Sequence, residues 1–225
     1  MNLDGFALPV KKLKGTDPVE TLDLSGKNLR VASLVLIASL ISVNGGLMKL
    51  LLAKNKLGEE GTKFLCDALV GNNTLKELDL SGDSSFRGTG SNIGGTAGAK
   101  HVANMLLVNG ALTSIDLRGN KLCGIWTDRW SSQQGTYTAE GIIAIADALR
   151  VNGALTSIKL RGNKLGDEGW GAIFAAICGN KDSKIMSMDA SWENIGPAGV
   201  KLIAEALRTS VTGALTKLRC VSPRS

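Results

Sequence analysis

Residues 155–165 read LTSIKLRGNKL, and residues 112–122 read LTSIDLRGNKL. Apolar residues fall at the first, fourth, sixth and eleventh places, and an asparagine falls at the ninth. That is a short strand of alternating pattern running into an asparagine turn. Two near copies this close mean internal repetition, which decides the architecture before any other feature is weighed.

Aligning the rest of the chain on this stretch gives six units and a seventh strand, with first positions Val19, Leu47, Leu75, Leu112, Leu155, Ile185 and Leu215. The steps between them are 28, 28, 37, 43, 30 and 30 residues, so a 28-residue unit with small and large insertions accounts for all. After each of the first six strands comes a helical pattern, as in GTKFLCDALV (residues 61–70), AEGIIAIADALRV (139–151) and GPAGVKLIAEALR (196–208). In the last of these, Val200, Ile203, Ala204 and Leu207 recur at three and four spacing. Pro197 sits where a first helical turn tolerates it. Asn44-Gly45, Asn109-Gly110 and Asn152-Gly153 are expected to close their helices and return the chain to the next strand.

The segment pattern LxxLxLxxNxL with a trailing helix of the GxxGAxxLAxAL kind resembles the leucine-rich repeat family, in its ribonuclease-inhibitor-like subfamily. The resemblance runs from Val19 onward. It implies an α/β leucine-rich repeat solenoid of six repeats plus a terminal strand: a curved horseshoe segment with a parallel sheet on the concave side and helices on the convex side. Asn55, Asn120 and Asn163 match the family's ladder asparagine, whose amide both donates to and accepts from backbone groups. Lys27, Asp83 and Glu193 hold that place in the first, third and sixth units, so the ladder is expected to be imperfect there, although Asn28 and Asn194 stand one residue away. Curvature follows from size. Strands stack about 4.8 Å apart while helices need roughly 10 Å, so the helix side fans out. One unit cannot bury its own apolar face; its neighbours do so.

Residues 1–18, with Leu3, Phe6, Leu8 and Val10, are expected to cap the first repeat, whose helix is unusually apolar at Leu34, Val35 and Leu36; the alternative is that a partner covers that side. The repeat domain is then 19–225. At the far end LTKLRCVSPRS reads as a bare strand whose edge pairing Arg219, Pro223 and Arg224 are expected to discourage, though a docked partner could also use that edge.

Composition narrows the function classes. The formal charge is +6 with no dense block of Lys and Arg interleaved with aromatics, so nucleic-acid binding is disfavoured. Four cysteines without CxxC spacing point to reduced, mostly buried thiols of an intracellular, cytoplasmic protein, neither a disulfide frame nor a zinc site. The N-terminal sequence shows no basic region followed by an apolar one, so no secretory signal is read, while import into an organelle stays open. The longest apolar run is too short to span a bilayer.

Catalytic signatures are scarce. His101 is the single histidine and falls at a variable helix position, which suits surface or packing work. The glycine-rich residues 88–98 lack both GxGxxG spacing and a GK[ST] ending, and read as an insertion leading into a helix. Asp23, Asp79, Asp116 and Asp189 share the fifth strand position as a solvated column. Arg118, Lys159 and Arg161 interrupt that acidic trend on two adjacent strands and, with Asp116, make a mixed patch suited to protein recognition.

The two insertions, near 83–92 and 123–138, occupy the same place in consecutive units and should lie side by side on one rim. They carry Phe86, Arg87, Trp126, Arg129, Trp130 and Tyr137, in a chain with only 4% aromatics. Trp and Arg anchor interfaces because they bury much area for few frozen torsions; the same aromatics could equally staple the loops to the solenoid. Trp192, at the eighth strand position, should project near the concave rim. Trp170 should pack between helices. The expected function is therefore a non-enzymatic scaffold that binds another protein through the concave sheet and the aromatic rim, with no cofactor, metal or small-molecule substrate. Two alternatives stand beside it: a fixed subunit of a larger assembly, and a regulator of an enzyme, since relatives in the resembled subfamily inhibit a nuclease or activate a GTPase.

Overall fold

The computed structural model describes residues 2–83, 91–128, 130, 132–191 and 193–219. In chain order the elements are β1 Asn2–Leu3, β2 Phe6–Ala7, α1 Val10–Lys14, β3 Thr21–Asp23, α2 Val31–Ile41, β4 Lys49–Leu51, α3 Gly58–Leu69, β5 Glu77–Asp79, α4 Gly95–Val108 and β6 Ser114–Asp116. There follow β7 Ile125–Thr127, β8 Gln133–Gly135, α5 Glu140–Leu149, β9 Ser157–Lys159, α6 Gly166–Gly179, β10 Ser187–Asp189, α7 Pro197–Arg208 and β11 Lys217–Arg219.

The strands pair in the register that the repeat alignment requires. Leu22 stands opposite Leu50, Leu50 opposite Leu78, Leu78 opposite Ile115 and Ile115 opposite Ile158, all parallel. Each strand turns two apolar residues inward, from Leu22 and Leu24 in the first unit to Met188 and Ala190 in the sixth, and all are buried against the helices. Leu218 in β11 is 37% exposed; among the described residues this strand pairs with β10 alone. The molecule is thus a leucine-rich repeat solenoid, with a parallel sheet on one side and helices on the other.

Two rows of asparagines join the units, one after the strands and one before them. In the first row, Asn55 Nδ2 donates to Leu24 O and Leu52 O at 2.9 Å while its Oδ1 accepts from Leu29 N. Asn120 and Asn163 repeat this behaviour. The third unit departs from expectation. Asn92, at the far end of the first insertion, donates to Leu52 O and Leu80 O and so restores the donor half of the ladder that Asp83 interrupts, while its Oδ1 accepts nothing among the described residues. That insertion therefore precedes its ladder asparagine, whereas the second follows Asn120; the two do not share one place in the repeat. Asn28 and Asn194 are exposed and do not substitute.

The second row is Asn44, Asn72, Asn109, Asn152 and Asn180, of which the sequence singled out Asn44, Asn109 and Asn152, and only as helix closers. Asn109 shows the pattern. Its Oδ1 accepts from Ala111 N and Leu112 N, and its Nδ2 reaches back to Leu69 O and Asn72 O in the preceding unit. Asn44 reaches Lys12 O and Leu13 O, so α1 stands where a preceding repeat's helix end would. Leu8 and Leu13 are buried, and Leu3 and Phe6 pack against the core. Asp4 caps α2 from outside, accepting from Arg30 N at 2.9 Å and Ser33 Oγ at 2.5 Å. The Ser33 hydroxyl and the Arg30 amide hold its carboxyl below the usual range. Val35, expected under the cap, is exposed.

Between β9 and β10 the strands lie side by side, but no backbone ladder joins them among the described residues. In earlier units the N–H two residues past each strand's inward pair meets a backbone carbonyl, as Gly119 N meets Arg161 O. In the fifth unit Gly162 N instead donates to Glu193 Oε1 at 2.6 Å. The carboxylate that replaces the ladder asparagine has taken the donor a strand carbonyl would have used. Helices α6 and α7 pack without interruption, and Asp167 Oδ1 accepts from Gly196 N at 2.7 Å. On α7, Ile203 and Ala206 are buried while Val200 is 57% exposed and Leu207 is also exposed; the expected four-residue apolar face is narrower because α7 has a neighbouring helix on one side.

Candidate functional site

The second insertion is a β-hairpin, which its residues did not announce by alternation. Thr138 N donates to Cys123 O at 3.0 Å and Gly124 N to Lys121 O at 2.9 Å, closing the neck. Strands β7 and β8 pair antiparallel, with Trp126 opposite Gln134. Gly135 has a positive φ and its α-carbon lies where a Cβ would strike Gly124 O, so only glycine fits that crossing. Asp128 organises the tip. Its Oδ1 accepts from Trp130 N and Ser132 N at 2.9 Å and its Oδ2 from Gln134 Nε2.

The aromatics divide between the two expected roles. Trp126 is half-buried, and Lys121 Nζ lies 3.9 Å from its ring centroid, a cation–π contact that fixes both. Burial lowers the Lys121 pKa. Tyr137 staples the hairpin to the next repeat by donating from its hydroxyl to Leu165 O at 2.8 Å. Burial, and then the nearby Cys123 and Glu168, push its pKa up to about 12. Trp130 does the opposite: it is 70% exposed at the tip. Phe86, Arg87, Arg129 and Trp192 lie outside the described residues, as does the side-by-side placement expected of the two insertions.

Asp116 is buried and accepts from Arg118 Nε and Nη2 at 2.7–3.0 Å, and Lys159 Nζ stands 3.5 Å away. The aspartate column has a structural duty that sequence reasoning missed. Asp23, Asp79, Asp116 and Asp189 each accept, through Oδ1, the backbone N–H two residues on. These are Asx turns that end the strands. The signal was available in the Asp itself, since an Asp at a strand end accepts the backbone N–H two residues on whichever side chain follows.

Between the hairpin and the fifth and sixth units lies a cleft of about 590 Å³, lined by Arg118, Ile125, Tyr137, Arg161, Lys164 and Glu193 among others. Sequence reasoning named Arg118, Arg161 and Tyr137 as site residues, but not Lys164, and it read Glu193 only as a gap in the asparagine ladder. Glu193 is buried; desolvation raises its pKa, opposed by the Gly162 N–H and by the nearby Trp170 and Leu165 N–H groups. Elsewhere, Trp170 packs between helices 6.1 Å from Phe174, and His101 bridges α4 toward Glu59 at 3.7 Å. Cys66, Cys123 and Cys178 are free thiols in the core; desolvation raises all three pKa values, Cys123 to about 12. No described helix is long and apolar enough to cross a membrane.

Known proteins share this architecture. Residues 154–174 match the family profile described as "Leucine Rich repeat". The chain is 39% identical over 79 residues to leucine-rich repeat-containing protein 45 of Gallus gallus, 34% of this chain and 12% of that protein. It is 34% identical over 92 residues to protein CARMIL of Dictyostelium discoideum, 36% of this chain and 9% of that protein. Against ribonuclease inhibitor of Mus musculus it is 33% identical over 107 residues, 47% of this chain and 22% of the inhibitor. The chain therefore spans less than a quarter of the length of each of these relatives. Among solved structures, the leiomodin-1 actin-binding site 2 aligns with a TM-score of 0.57 at 15% identity, over 77% of this chain and 88% of that one. The tropomodulin C-terminal domain of Caenorhabditis elegans aligns with a TM-score of 0.55 at 11% identity, over 76% and 90%. At such identities the likeness is one of fold.

Proposed function

We propose that this chain, a leucine-rich repeat solenoid of the ribonuclease-inhibitor-like kind, is a non-catalytic module that binds another protein through its concave sheet and the rim beside it. One observation carries the reading: Trp130 is 70% exposed on a hairpin whose tip is fixed by three hydrogen bonds to Asp128. An exposed tryptophan on a rigid support keeps little conformational entropy to lose on docking, the circumstance in which aromatic anchors contribute most. Arg118, Lys159 and Arg161 supply the neighbouring polar contacts, with Trp126 and Tyr137 supporting the hairpin. Phe86, Arg87, Arg129 and Trp192 complete the proposed surface from the sequence alone. Residues 1–18 act in this reading as the cap of the first repeat. Three buried unpaired thiols support an intracellular setting.

The test begins with affinity purification and mass spectrometry, followed by calorimetry with the partner found. Actin joins the proteins tried because leiomodin-1 is named for an actin-binding site. Trp130→Ala is expected to weaken binding by about 2 kcal/mol or more, roughly thirtyfold in Kd. Trp126→Ala is expected to do the same, partly by loosening the hairpin. Unchanged affinity for Trp130→Ala with an intact fold overturns the assignment.

A further inference from the structure

We infer that the outer face of the sixth repeat, formed by α7 and the inward side of β11, is where a second copy of this chain docks about a two-fold axis. The reason is positional. In each earlier repeat from the second on, the residue after the helix glycine is sealed by the next repeat: Thr62, Ala99, Ile142 and Trp170 are all 0% exposed. The glycines of the following helices form the seal, since a Cβ on Gly141 would lie 3.2 Å from Ala99 and one on Gly169 would lie 3.0 Å from Ile142. Val200 holds the same place after Gly199 and is 57% exposed. Leu207 is 38% exposed where Leu69, Leu106, Leu149 and Ile177 are buried, and Ala204 is exposed where Phe174 is buried. Leu218, opposite Met188 in the register, is exposed as well. The interface that joins neighbouring repeats therefore continues onto α7 with no cover among the described residues.

The stripe on α7 is suited to its own copy. Val200, Ala204 and Leu207 stand four and three residues apart, the spacing of a seam between two packed helices. The order is large, small, large, and it complements itself: with the helices antiparallel about Ala204, Val200 of one copy meets Leu207 of the other. One residue further round, Lys201, Glu205 and Arg208 give that seam a polar rim, and Glu205 and Arg208 already neutralise each other at 2.6 Å. Head-to-tail stacking is blocked, because the leading face of the first repeat is filled. Leu8 and Leu13 are buried there, and Asn44 spends its amide on Lys12 O and Leu13 O. One open face and one closed face admit a two-fold pair and no longer array. The helices hold the pair, since antiparallel β11 strands would set Lys217 of one copy opposite Arg219 of the other, a like-charge contact.

The test is the mass of the full chain in solution, by size-exclusion chromatography with light scattering, from about 1 to 100 μM. The expected result is twice 23.5 kDa at the highest concentration, falling toward 23.5 kDa on dilution. Val200→Glu, at an exposed helical position, is expected to give the single mass throughout while keeping the circular dichroism of the parent. Trp130→Ala removes an exposed aromatic on the hairpin and is expected to leave the pair intact, which separates this face from the proposed rim. Ala204→Cys gives a second reading that weakens nothing. With that residue on the axis, oxidation by diamide is expected to link two copies covalently, beyond any link formed by the parent. Leu202→Cys, whose side chain lies against Gly171 of its own chain, is expected not to link. A single mass at every concentration, a pair that survives Val200→Glu or is lost with Trp130→Ala, masses beyond two copies, or no Ala204→Cys link would each overturn the inference.

Discussion

Asn120→Ala should cost about 4 kcal/mol of stability, and the hydrogen bonds show where the loss arises. The Asn120 side chain is fully buried and makes contacts on both of its ends. Its Nδ2 serves Leu80 O, Leu117 O and, at 3.3 Å, Arg118 O. Each of these carbonyls keeps another donor when Asn120 is gone: Asn92 Nδ2, Asn163 Nδ2 and Gly82 N in turn. The Oδ1 side has no such reserve. Asn92 N at 2.9 Å and Ile93 N at 3.2 Å both depend on it and are buried. Two orphaned amides at about 1–3 kcal/mol each give the quoted figure. Asn163→Ala should cost about as much, because Asn120 N depends on its Oδ1 and Leu160 O, at 2.6 Å, on its Nδ2. Asn73→Ala, on the surface, should stay within about 0.5 kcal/mol. Urea unfolding followed by circular dichroism measures all three, with an expected midpoint shift for Asn120→Ala of about 1.3 M at a slope near 3 kcal/mol/M. A loss below about 1 kcal/mol would mean that water enters the vacated polar site and replaces the amide, and that the ladder is not what holds the third unit's turn.

Two further outcomes follow from the geometry. A Cβ on Gly98 would lie 1.8 Å from Ile93 O, so Gly98→Ala should lose about 3 kcal/mol, whereas Gly110→Ala meets nothing within 4 Å and should be neutral or slightly stabilising by thermal melts. Burial raises the folded-state pKa of Glu193 above the ordinary value of 4.5, so the stability linked to it is complete below that value and is lost as pH rises through the higher folded value. Glu193→Gln keeps an acceptor for Gly162 N and should therefore gain stability relative to the parent at pH 7 and not at pH 4; an equal difference at the two pH values would remove burial of the charge as the cause.

The repeat frame was legible because it rests on local rules. Period-two alternation and a shared register position place Leu22, Leu50, Leu78, Ile115, Ile158, Met188 and Leu218 without any tertiary information. What escaped depends on groups distant in sequence. Asn92 looks like part of an insertion until Leu52 O and Leu80 O are beside it. Asn109 and its equivalents look like turn residues until the preceding unit offers carbonyls. Leu13 lies in a short basic segment, and only the docking of α1 makes it core. The interrupted sheet could not be foreseen from Glu193, which reads as one missing amide and acts as a competing acceptor. At the site, residue types pointed to the hairpin and the arginines. Which aromatic stays outside was invisible, because Trp126 and Trp130 differ only in how the hairpin folds around Asp128.

The row of asparagines that precedes the strands has a direction. Every amide in it hands its protons to carbonyls made earlier in the chain: Asn44 to Lys12 and Leu13, Asn109 to Leu69 and Asn72, Asn152 to Leu106, Asn180 to Leu149. A polypeptide leaving the ribosome N-terminus first thus finds, at each new turn of the coil, a completed edge waiting for it. Shortening from the C-terminus strands none of these amides, while shortening from the N-terminus strands the first in line.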